Sequence, residues 1–278
     1  MPIAHKSTTI DMSLAEVVEH LRLHQAVAGV LAVGSTGRGE LNPSSDYDIV
    51  VILAEMPVPL HVGVTNIAGR FADIIFHTTA QVDTFLEANQ PFGFWHWTGR
   101  LIGWLQESKI LFDRNGRVHQ AQEKAQTGEW LAPSGMERGV KAWNGVNYNL
   151  LVLRRYLASD DPLYLATADL RMMIYGPADL FFNYFEARCL RWNGEKQAIH
   201  YLQQHDPGYL SLFNQFLIEG DRNVRFRLYE ALAERTLAPI GPLWRTTDTV
   251  MMVDAEEVTS AMEKAALDFW NDLVGGNE

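Results

Sequence analysis

Apolar positions recur along the chain with two periods. Leu14, Val17, Val18 and Leu21 fall at helical spacing, and Ser13-Leu14-Ala15-Glu16 has the form of a capping box, so a helix is predicted to about His24. The continuous apolar run Val27 to Val33 predicts a buried strand, and a second strand is predicted over Tyr47 to Leu53. Pro57 and Pro59 mark a loop, His61 to Ile67 predicts another strand, and Gly69 a turn. Phe71 to His77 follows as a further strand, central by its apolar run, with Asp73 out of place inside it. Gln81 to Ala88 is predicted helical, and Pro91 to Trp97 aromatic and irregular. A short helix is predicted over Leu101 to Glu107, and a last strand over Lys109 to Asp113 ending at Asn115-Gly116.

From about Val118 onward the texture changes, and no further strand is predicted. Helical patterns run over Gly135 to Ala158, Pro162 to Trp192, Glu195 to Gln204, Tyr209 to Glu219, Asn223 to Leu237 and Ala255 to Leu273. The Gly176-Pro177 pair is predicted to split or kink the second of these. Strands mixed with helices, then helices alone, predict an α+β chain: a sheet-containing domain over 1–117 and a helical domain over 118–278.

Composition narrows the function classes. The formal net charge of −11 argues against broad, sequence-independent nucleic-acid binding, while leaving room for a local basic pocket. A single cysteine, Cys189, precludes an intramolecular disulfide and fits a reducing compartment. No apolar run approaches the roughly 20 residues that cross a bilayer, and the first residues lack a signal-peptide core, so a cytoplasmic location is expected. The oligomeric state is left open.

The candidate chemistry lies between the first two predicted strands, in Gly34-Ser35-Thr36-Gly37-Arg38-Gly39-Glu40-Leu41-Asn42-Pro43-Ser44-Ser45-Asp46-Tyr47-Asp48. Alternate residues of a strand share a face, which puts Asp46 and Asp48 roughly 7 Å apart. Carboxylates held that close repel each other unless a cation lies between them, and a hard divalent ion takes oxygen ligands. A Gly-Ser turn that opens a helix offers backbone N–H groups suited to phosphate. Asp73, a carboxylate in an otherwise apolar strand, needs a partner. Each feature alone has a plain structural reading, as a turn or a solvated strand entry; together they predict a metal and phosphate site.

The Gly34-Ser35 pair, ten residues and then Asp46-Tyr47-Asp48 resembles the signature of the DNA polymerase beta-like nucleotidyltransferase superfamily. Arg38-Gly39 and Ser45 stand where many members carry the same residues. The resemblance covers about the first 115 residues and implies Asp73 as the third carboxylate of a catalytic, metal-binding set with Asp46 and Asp48. It further implies one or two Mg²⁺ ions and a nucleoside triphosphate, most simply ATP, whose phosphates Gly34, Ser35 and Arg38 would hold. The reaction implied is attack of a hydroxyl on the α-phosphorus.

A catalytic domain followed by a large helical one is similar to the aminoglycoside and lincosamide nucleotidyltransferases, which implies a small-molecule hydroxyl acceptor, while the shortage of basic residues argues against a nucleic-acid partner. An antitoxin-type AMP transferase acting on protein, or a silent nucleotide-binding module, are the competing expectations. In the helical half, Lys141 lies on one helix side with Asn144, Asn147 and Tyr148 and is the candidate triphosphate contact, weighed against a solvated lysine. Asp169 and Arg171, and Glu186 and Arg188, are either structural pairs or pocket lining, with Asp169 or Glu186 an alternative base to Asp73. Trp95-His96-Trp97 could stack on a base or pack as a loop, and His77 shares a strand face with Asp73. The run Met172 to Phe185 is expected to be core, and the histidines show no metal-ligand spacing.

Overall fold

The computed structural model describes residues 10–273 apart from 57, 94–95, 133–135 and 254–259. The chain divides into two compact units, 1–132 and 133–278.

The first unit is built on a five-stranded mixed sheet in the order β3-β4-β2-β1-β6. Its strands are β1 (Val27–Ala32), β2 (Tyr47–Leu53), β3 (Val62–Ile67), β4 (Arg70–Thr78) and β6 (Lys109–Asp113). β1 runs antiparallel to β2 and to β6, β3 antiparallel to β4, and β2 parallel to β4. Alternation along β2 sends Ile49 and Val51 to one face and Val50 and Ile52 to the other. The first face packs on Val17 and Val18 of α1 (Leu14–Leu23), whose capping box between Ser13 and Glu16 is formed. The second packs on α3 (Thr79–Glu87), α4 (Trp97–Glu107) and α5 (Arg117–Thr127) through Val82, Phe85, Leu101, Ile102, Leu105, Val118, Ala121 and Ala125. Between β1 and β2 lies the five-residue α2 (Gly34–Arg38).

Three local features depart from the sequence expectations. α4 begins at Trp97 rather than Leu101, because His96 caps it by accepting the Thr98 N–H (3.2 Å). A two-residue pair, β5 (Phe92–Gly93) with β7 (Leu131–Ala132), puts a strand beyond residue 118. Helix α5 follows β6, and the contact division falls after Ala132 instead of near residue 118. The Nζ of Lys124 explains the attachment: it donates to the carbonyls of Phe85 (2.9 Å), Leu86 (2.9 Å) and Ala88 (2.7 Å), satisfying the last turn of α3.

The second unit is helical: α6 (Met136–Leu157), α7 (Pro162–Glu186), α8 (Glu195–His205), α9 (Pro207–Ile218), α10 (Arg222–Leu237) and α11 (Ser260–Leu273). Its core gathers Val146, Leu150, Met172, Leu180, Tyr209, Phe216, Tyr229 and Leu232; the apolar run in α7 is core only in part, with Phe181, Tyr184 and Phe185 also buried and Met173, Ile174, Tyr175 and Phe182 exposed. α7 continues through Pro177 without a break. The α+β class is thus observed, a mixed-sheet unit followed by a helical one.

Candidate active site

The site is assembled by the β2–β4 register. These parallel strands pair Asp48 directly with Asp73, which places the two side chains side by side on one sheet face. That face is the one whose core lies further along β2 at Val50 and Ile52, so the acids occupy its polar end. Asp46 lies just before β2, on the exit of the 40–46 loop. One carboxylate oxygen from each of Asp46, Asp48 and Asp73 falls within 4.8 Å of the others, and all three residues are half-buried. The sequence expectation of a carboxylate enclosed in an apolar strand is therefore modified: Asp73 is half-buried at the end of its apolar run.

Gly34 opens α2 immediately beside this cluster. Its backbone is left-handed, with φ +56°, and a Cβ there would lie 2.7 Å from Asp48 Oδ2. Only glycine satisfies both demands. A short helix also leaves its first N–H groups without acceptors of its own, and these belong to Gly34, Ser35 and Thr36. Gly37 lets α2 lie against the end of β1, since a Cβ would meet the Ala32 carbonyl oxygen at 2.5 Å. The helix ends at Gly39 (φ +72°), where the Glu40 N–H returns to the Ser35 carbonyl at 3.0 Å.

Two ties that the sequence did not reveal fix the acids to this scaffold. The Thr36 hydroxyl donates to the Asp46 carbonyl (3.2 Å) and accepts the Asp48 N–H (3.1 Å), bracketing the start of β2. Arg70, the first residue of β4, donates from Nη1 to the carbonyls of Asn42 (2.8 Å) and Ser45. The signal available for Gly37 was its place three residues after Gly34. Thr36 and Arg70 act through main-chain groups that only the tertiary fold brings near.

The remaining candidates are placed as follows. Arg38 donates from Nε to Glu40 (2.8 Å) in an exposed pair, an arrangement that stabilises little. Lys141 is exposed on α6, in the second unit. Asn147 is structural: it accepts the Trp244 N–H (2.8 Å) and donates to the Trp143 carbonyl (3.0 Å). Asp169 forms a bidentate pair with Arg222 (2.9 and 2.6 Å), and Arg171 donates to Asn149, which donates in turn to Asp179. Arg138 donates to Glu186 (3.1 Å), and Arg188 donates to the carbonyls of Thr236 (3.1 Å) and Arg235 (2.9 Å). All four are engaged inside the helical unit, but with other partners than each other: Asp169 pairs with Arg222 and Glu186 with Arg138.

Trp95 lies outside the described residues, while Trp97 packs edge-on against His61 and His77. His77 is four residues beyond Asp73 on β4, about 13 Å along the strand, and fully buried. Burial holds its imidazole below the ordinary range, against the opposing hydrogen bond with Gln81.

Comparison with known proteins defines the class. Residues 12–83, the span holding Gly34, Asp46, Asp48 and Asp73, match the family model described as nucleotidyltransferase domain. The first unit therefore carries a nucleotidyltransferase domain, the resemblance to the DNA polymerase beta-like superfamily is borne out, and the protein is a transferase. Among solved structures the chain is similar to a nucleotidyltransferase-like protein from Exiguobacterium sibiricum 255-15. The two are 15% identical over 80% of this chain and 71% of that one, with a TM-score of 0.40. No curated protein matches the chain.

Proposed function

We propose that this protein transfers a nucleoside monophosphate, AMP from ATP, to a hydroxyl of a small molecule, with an aminoglycoside or lincosamide antibiotic as the acceptor class. The observation that carries the reading is the convergence of Asp46, Asp48 and Asp73 within 4.8 Å beside a glycine that leaves no room for a side chain. An all-carboxylate donor set suits a hard divalent ion such as Mg²⁺, and one or two ions would be held there. Bound metal supplies charge neutralisation on the triphosphate and on the departing pyrophosphate.

The chain's own groups do the rest. The first N–H groups of α2, with the Ser35 hydroxyl, bind the β- and γ-phosphates. Arg38 adds charge once it exchanges Glu40 for phosphate. Asp73 serves either as a further ligand or as the base that takes the proton from the acceptor hydroxyl. The acceptor oxygen forms a bond to the α-phosphorus, the bond to the bridging oxygen of pyrophosphate breaks, and the hydroxyl proton passes to the base. The net charge of −11 favours approach of a polycationic drug.

The test is incubation with ATP, Mg²⁺ and a panel of aminoglycosides and lincosamides. Pyrophosphate released only in the presence of a drug, and lost in Asp46→Ala, is the expected result. Labelled nucleotide appearing on a protein instead would replace the small-molecule acceptor with a protein one. Nucleotide bound without turnover would reduce the site to a nucleotide-binding module.

A further inference from the structure

We propose that Arg70 is a positioning residue that preorganises Asp46 for metal binding, acting from the reverse face of the sheet. The inference rests on the metal-site reading above and concerns a residue outside the carboxylate set and the phosphate turn.

The three acids are not held equally. Asp48 and Asp73 sit within strands and face each other across a continuous ladder. Asp46 precedes β2 and leaves a loop whose residues 40–44 are exposed. The loop's own bonds close largely on themselves: Ser44 N–H to Asn42 Oδ1 (2.8 Å), Asn42 N–H to Ser45 Oγ (3.0 Å) and Ser45 N–H to the Asn42 carbonyl (3.1 Å). They shape the turn without fixing where it points. A cleft of about 440 Å³, lined by Ser44, Ser45, Asp46, Tyr47 and Arg70 among others, lies against the loop.

Thr36 holds the Asp46 carbonyl at the exit of this turn, and Arg70 ties the turn itself to β4. Its Nη1 grips the carbonyls of Asn42 and Ser45, the two ends of the turn. The Ser45 carbonyl belongs to the peptide group whose nitrogen is that of Asp46, so the grip sets the plane from which Asp46 hangs. The guanidinium also lies 5.3 Å from the centre of the Tyr47 ring, which adds a cation–π contact next to Asp46. By strand alternation Tyr47 and Arg70 face away from Asp48 and Asp73, so the clamp does not itself enter the site. It starts the strand that carries Asp73 three residues later, and so references the loop ligand to the strand ligand.

Outer groups that orient metal ligands are worth about 10- to 100-fold in metal affinity. The test is Mn²⁺ titration followed by electron paramagnetic resonance, with a nonhydrolysable ATP analogue present, on wild type, Arg70→Met and Arg70→Lys. Urea unfolding of each variant is measured alongside. Arg70→Met is expected to bind Mn²⁺ about 10- to 100-fold more weakly while still folded at the concentrations used, with Arg70→Lys in between because an ammonium reaches one carbonyl. Wild-type Mn²⁺ affinity in Arg70→Met overturns the inference, even where stability falls, since a purely structural role moves only the unfolding midpoint. Should Arg70→Met fail to fold, Arg70→Lys carries the comparison, and wild-type affinity there overturns the inference. Absence of Mn²⁺ binding in the wild type overturns the metal site itself, and so separates that failure from failure of the clamp.

Discussion

At Gly34 two constraints meet, a left-handed backbone and the absence of space beside Asp48 Oδ2. A non-glycine residue held in that region costs about 1–3 kcal/mol. The new methyl would also displace the carboxylate. Gly34→Ala is therefore expected to lower stability modestly in urea denaturation and to abolish transfer, a loss of activity out of proportion to the loss of stability. Thr36 is the complementary case. Thr36→Val keeps the shape but removes the hydroxyl's bonds to the half-buried Asp48 N–H and Asp46 carbonyl. Loss of such a bond costs about 0.5–1.5 kcal/mol. Turnover should fall in Thr36→Val and return in Thr36→Ser; equal turnover in all three proteins would show that the bracket does not matter. The acids were legible in the sequence because they break a pattern: Asp73 interrupts an apolar strand, and Asp46 and Asp48 alternate after a glycine-rich turn. Thr36 and Arg70 were not, because their partners are main-chain atoms 10 to 28 residues away, and no side-chain pattern encodes such bonds.

At the scale of elements, α7 sets helix propensity against packing. Gly176→Ala would gain about 1 kcal/mol of propensity, but its Cβ would lie 2.7 Å from Cζ of the fully buried Phe216 and 3.4 Å from Tyr229. Overpacking of that kind costs about 1–3 kcal/mol, so the substitution is expected to destabilise, as thermal unfolding would show. α7 runs through Pro177 even though the proline forfeits one helical hydrogen bond, and residues on both sides of it, Met172 and Leu180, are in the core. Helix α5 escaped sequence reading because its buried face is Val118, Ala121 and Ala125, too small to raise a periodic signal. In β4, His77 makes the first unit sensitive to pH. The unfolded chain takes up a proton on this histidine near pH 6.5, whereas burial keeps the folded imidazole neutral to lower pH. The unfolded state thus binds more protons across that window, and stability falls as pH drops below about 6.5. Denaturation midpoints at pH 7.5 and 5.5 check this, with His77→Gln expected to lose part of the decline.

For the whole molecule, the order of elements was legible because strands and helices write different periods, and the change of texture announced two units. The exact division was less so: the tie from Lys124 to the end of α3 assigns α5 to the first unit, and that is a tertiary contact. The first unit carries the nucleotidyltransferase match over residues 12–83, and that match names no acceptor. In the proposed reaction three carboxylates hold the metal that brings a triphosphate to the glycine turn. Calorimetric titration of a nonhydrolysable ATP analogue, with and without Mg²⁺, into wild type and Asp48→Asn tests it most directly. Mg²⁺ is expected to strengthen nucleotide binding to the wild type, and this gain is expected to vanish in Asp48→Asn. Nucleotide affinity indifferent to Mg²⁺ in the wild type, or a gain that survives the substitution, would contradict it.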